Sequence, residues 1–168
     1  MNAREFFYKV VKPTVTEFTL DGNDLRRAIL ACIVLKHATE HVFVERALAQ
    51  STPSNEKTAL KCARDQQSKY WDSHSSDSSF NAVENIANAS KHARLVKTGY
   101  SLQLVHLSDP AGLYLDDGFL DNDFMTWSSQ VMAHATTPGH PSPPDVELKT
   151  AIESVMMKIQ TDFPELAP

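Results

Sequence analysis

The sequence predicts a mainly all-α fold, a four-helix bundle with a small antiparallel β insertion before the last helix. Apolar residues recur at three- and four-residue steps over residues 24–49, 60–74, 79–95 and 148–163, the spacing of one face of a helix. Over residues 100–107 the period drops to two, as in a half-buried strand. Clusters of Pro, Ser, Asp and Gly separate these segments. With 168 residues, 42% hydrophobic and 22% charged, the chain fits a single domain spanning 1–168. A chain of this length buries roughly 70% of its unfolded surface and needs no disulfide or structural metal.

Each element has a local reason. Asp21-Gly22-Asn23 offers an N-cap cluster for a first long helix over about 24–49, in which Leu25, Ile29, Cys32, Lys36, Thr39, Phe43 and Ala47 share a mostly apolar face. Thr52-Pro53-Ser54-Asn55 breaks and restarts the chain, and Leu60, Ala63, Gln67, Tyr70, Trp71 and His74 mark a second helix with a mixed inner face. After a serine-rich loop at 73–79, a third helix runs to about Leu95 on a narrow face of Phe80, Val83, Ile86, Ala87, Ala89 and Ser90. The β insertion occupies about 99–135. Tyr100, Leu102 and Leu104 alternate with polar residues, Asp109-Pro110-Ala111-Gly112 turns the chain, and Asp117-Gly118 suits a hairpin between Leu113–Asp116 and Phe119–Leu120. Residues 124–135 fit either a helix or a strand and are read as strand. A loop follows at 136–144, and Asp145 is placed as the cap of a last helix that ends at Pro164.

Composition narrows the function classes. The longest apolar run, Ala28 to Leu35, has eight residues, against roughly 20 for a membrane-spanning helix. Residues 1–9 mix both charge signs and lack the apolar segment of a secretory signal, and Cys32 and Cys62 have no C-x-x-C spacing. A cytoplasmic location without membrane association is expected. Net charge is −5 but uneven: residues 1–97 hold 14 Lys and Arg against 11 Asp and Glu, whereas residues 98–168 hold 2 against 10. An acidic C-terminal third opposes phosphate-backbone binding, so net charge does not support RNA as a partner. The five Gly residues are isolated, with no phosphate loop, nucleophile elbow or dinucleotide fingerprint, and no cofactor is expected.

Three groups of residues could carry chemistry. His37-Ala38-Thr39-Glu40-His41 matches the H-x-x-E-H pattern of the inverted zinc peptidases. That family also needs a distant carboxylate ligand on a much longer domain. A simpler metal site would use His37 and His41, one turn apart, with Glu45 or another histidine. In the third helix, Asn85, Asn88 and His92 fall on one face beside the small residues, next to Lys91 and Arg94. Two Asn within one turn of an apolar face lower stability unless paired, which points either to a buried hydrogen-bond network against the first helix or to a site. The acidic stretch Asp116–Asp123 lacks calcium-loop spacing and reads as a solvated hairpin loop that could dock a basic partner.

The run Asn85-Ile86-Ala87-Asn88-Ala89-Ser90-Lys91-His92, preceded by a long helix bearing paired histidines, resembles uncharacterised bacterial proteins of the HEPN-like helical-bundle group. A similar Ala-Asn-x-x-Lys-His stretch recurs there, and the likeness covers roughly residues 20–97. The resemblance implies a bundle associated with toxin or defence systems and with nucleotide or RNA chemistry. Active HEPN ribonucleases carry an arginine, four to six residues and then a histidine, usually across a dimer interface. With His92 as that histidine, the arginine position falls on Asn85, Ile86 or Ala87. Asn cannot supply the permanent charge that stabilises a developing phosphorane. The expectation is therefore a non-catalytic or degenerate HEPN-like module that works by association, as a homo-oligomer or with a protein partner. The alternatives are an RNA-cleaving enzyme using His92 with Asn85, Asn88, Lys91 or Arg94, and a metal-binding bundle using His37 and His41.

Overall fold

The computed structural model describes residues 1–52, 55–91, 100–106, 113–114, 129–135 and 146–167, with side chains described over 1–52, 55–88 and 146–167. These residues are mainly helical. The chain opens on α1 (Ala3–Phe6), a π-helical turn (Phe7–Val11) and α2 (Lys12–Leu20), continues through α3 (Leu25–Ala49), α4 (Glu56–Ser73) and α5 (Ser78–Lys91), and returns in α6 (Leu148–Asp162) before a 3₁₀ turn at Pro164–Leu166.

The N-terminal helical segment is additional to the four helices the periodicity predicts. Lys9, Lys12 and Pro13 interrupt its apolar pattern, and the wide turn resolves the conflict. Lys12 N–H bonds back five residues to the Phe7 carbonyl, and Pro13 then lies in the first turn of α2, where a helix needs no intrahelical donor. Phe7, Val11, Val15 and Phe18 are buried as a result.

The other helix ends follow local chemistry. Asp24, not the preceding Asp21–Asn23 cluster, caps α3 by accepting from Arg27 N at 3.0 Å. Asp77 begins α5, its carboxylate accepting from Ser79 N at 2.8 Å. The N-cap of α6 is Glu147 rather than the expected Asp145, and its side chain makes no capping bond. Residues 92–95, expected to extend α5, lie outside the described residues, as do the turn at 109–112, the Asp117-Gly118 hairpin, the acidic stretch 116–123 and the loop 136–144.

α3 is central and packs against α2, α4, α5 and α6. Its inner residues Ala28, Ala31, Cys32, Leu35, Ala38 and Val42 meet Trp71 of α4, Phe80 and Val83 of α5, and Leu148, Ile152 and Ile159 of α6 in one core. The small residues on α3 let α4 and α5 approach closely. Between α5 and α6 the described backbone contains β1 (Tyr100–His106), β2 (Leu113–Tyr114), β3 (Ser129–Ala135) and β4 (Val146–Glu147). They pair antiparallel in the order β2-β1-β3-β4, with Leu102 opposite Ala133.

Candidate functional site

The polar groups that the helical pattern places inside the core converge where α3, α4 and α5 meet. Thr39 is fully buried, and its hydroxyl is used to capacity: it donates to the Lys36 carbonyl at 2.8 Å and accepts from Trp71 Nε1 at 3.0 Å and Gln67 Nε2 at 3.1 Å. Gln67 Nε2 also reaches the Lys36 carbonyl at 2.8 Å. One turn away, Lys36 Nζ donates to Glu84 Oε1 at 2.9 Å and to Asn88 Oδ1 at 2.6 Å on α5, and lies 5.7 Å from the Trp71 ring. The Lys36 side chain is only 14% exposed and that of Glu84 24%, so water screens this pair weakly.

The predicted α5 stripe divides at this point. Asn88 is paired across to α3, as a network joining the third helix to the first requires. Asn85 is not: its Nδ2 donates to the Asn81 carbonyl at 2.7 Å within its own helix. Lys91 is the last residue of α5, with no described side chain, and His92 and Arg94 lie outside the described residues. Sequence reasoning passed over Lys36 as a member of a mostly apolar face. A lysine three residues before a threonine on such a face is the signal that could have found the network.

His37, His41 and Glu45 do not converge. His37 Nδ1 lies 2.9 Å from Glu40 Oε2, both side chains about one-third exposed. His41 turns instead to α1, stacking on Phe6 at 4.2 Å between ring centroids, and burial holds its pKa below the usual histidine range against the upward pull of Glu40. Glu45 Oε2 accepts from the Ala3 backbone N–H at 2.8 Å, tying α1 to α3. Among the described residues, no group of three His, Cys, Asp or Glu stands close enough to hold a metal ion.

A second polar cluster joins the end of α4 to the end of α6. Tyr70 OH donates to Asp162 Oδ2 at 3.0 Å, His74 Nε2 stands 3.6 Å from the same oxygen, and Lys158 pairs with Asp162 Oδ1. His74 stacks on Phe80 at 4.3 Å. Ser73 Oγ is 3.2 Å from His74 Nδ1, so serine, histidine and aspartate line up in order as in a hydrolase triad. The hydrogen bonds oppose that chemistry. Nδ1 lies 2.8 Å from the Tyr70 carbonyl, which can only accept, so Nδ1 carries its proton there and cannot take one from Ser73. Ser73 Oγ donates to the same carbonyl at 2.7 Å. The cluster clamps two helix ends. Burial and the Asp162 carboxylate push the Tyr70 hydroxyl far above its usual pKa, while at Asp162 burial is outweighed by the hydrogen bonds from Lys158 and Tyr70, which hold its pKa down.

Cys32 is fully buried and desolvation raises its pKa strongly, whereas Cys62 is exposed. Among the described residues no helix is long and apolar enough to cross a membrane. No family model matches the chain, and no curated protein or solved structure is significantly similar to it.

Proposed function

We propose that this chain is a helical bundle elaborated by a β excursion between its last two helices, a non-catalytic or degenerate HEPN-like module of a toxin- or defence-type system that works by association. The observation that carries this reading is the commitment of the α5 polar groups to architecture. Asn88 and Glu84 both bind Lys36, and Asn85 bonds its own helix, so each of the three already has a partner within the protein. Lys36 faces the stripe, and the Glu84 carboxylate 2.9 Å away opposes its charge, leaving it poorly placed to stabilise a phosphorane.

The test is RNA cleavage by purified wild-type chain without added metal, beside His92→Ala. The expected result is no cleavage above buffer by either protein. Cleavage by the wild type that His92→Ala abolishes would replace this reading with that of an RNA-cleaving enzyme.

A further inference from the structure

We draw no further inference here: the strongest candidate, the surface hollow that Asn2, Arg4, Glu5, Tyr8 and Lys9 line along α1 and the π-helical turn, carries nothing, because the Tyr8 hydroxyl, unpaired among the described residues, is closed to solvent and so out of reach of a ligand in the hollow, and Glu5 and Lys9 already pair with each other.

Discussion

Replacing Thr39 by Val removes one oxygen from the centre of the network while keeping shape and β-branching. Thr39 is fully buried, so the substitution leaves the Trp71 indole N–H, bonded at 3.0 Å, without an acceptor in a site water does not reach. A buried donor left unpaired costs about 1–3 kcal/mol. Gln67 loses one bond but keeps the Lys36 carbonyl at 2.8 Å, and removal of a buried hydroxyl saves part of its own desolvation. The net expectation is about 2 kcal/mol of destabilisation, which for a domain of this size lowers Tm by roughly 4–8 °C. Urea unfolding followed by far-ultraviolet circular dichroism measures it. A cycle with Trp71→Phe, which removes the indole N–H, should give a coupling energy of about 1 kcal/mol between the positions. A Thr39→Val protein within about 0.5 kcal/mol of wild type, or an additive cycle, would refute the hydrogen-bonded core described above.

Four further outcomes follow from the same geometry. Lys36→Met should destabilise more than Lys36→Met combined with Glu84→Met, because the single change strands a weakly screened carboxylate that the double change removes; urea midpoints compare them. The lowered pKa of Asp162 gives stability that is present above its unfolded value of about 3.9 and is lost as pH falls through the folded value, so Asp162→Asn should flatten the acid limb of the stability profile. The raised pKa of Tyr70 works in the other direction, with stability full below about 10 and lost as pH rises beyond it, so Tyr70→Phe should flatten the alkaline limb. With a thiol reagent, one cysteine per chain should react at once, Cys62, and Cys32 only at the rate of unfolding; titration in buffer and in denaturant separates the two.

Much of the helical frame was legible because periodicity and punctuation agree. Residues 24–49 read as one helix from spacing alone, and the break at 52–55 and the serine-rich loop fell where helices end. The N-terminal segment was not legible, because a proline inside a short apolar pattern reads as a stop, and only the carbonyl pattern of the π turn shows why it is tolerated. At the candidate site, the pairing of Asn88 with the long helix could be foreseen from the cost of an unpaired amide. Its partner could not, since Lys36 counts as a break in an apolar face until the geometry shows its ammonium over the Trp71 ring and bonded to α5. Nor could the Tyr70–Asp162 contact, because residues 92 apart in the chain carry no pairing signal.

The two uses of α3 are separable, and that separation bears on function. Lys36 and Thr39 face α4 and α5, whereas Leu30 and Leu48 are exposed, so one helix carries an internal polar clasp and outward leucines. A helix serving only as the core of a monomer would gain solubility from charge on its outer face, and α3 instead exposes Leu30 and Leu48. Substitutions on the clasp should therefore lower the urea midpoint, whereas Leu30→Arg and Leu48→Arg should leave stability within about 0.5 kcal/mol of wild type. If the clasp variants instead unfolded at the wild-type midpoint, Lys36, Glu84 and Asn88 would not be committed to architecture, and the α5 stripe would return as the functional centre.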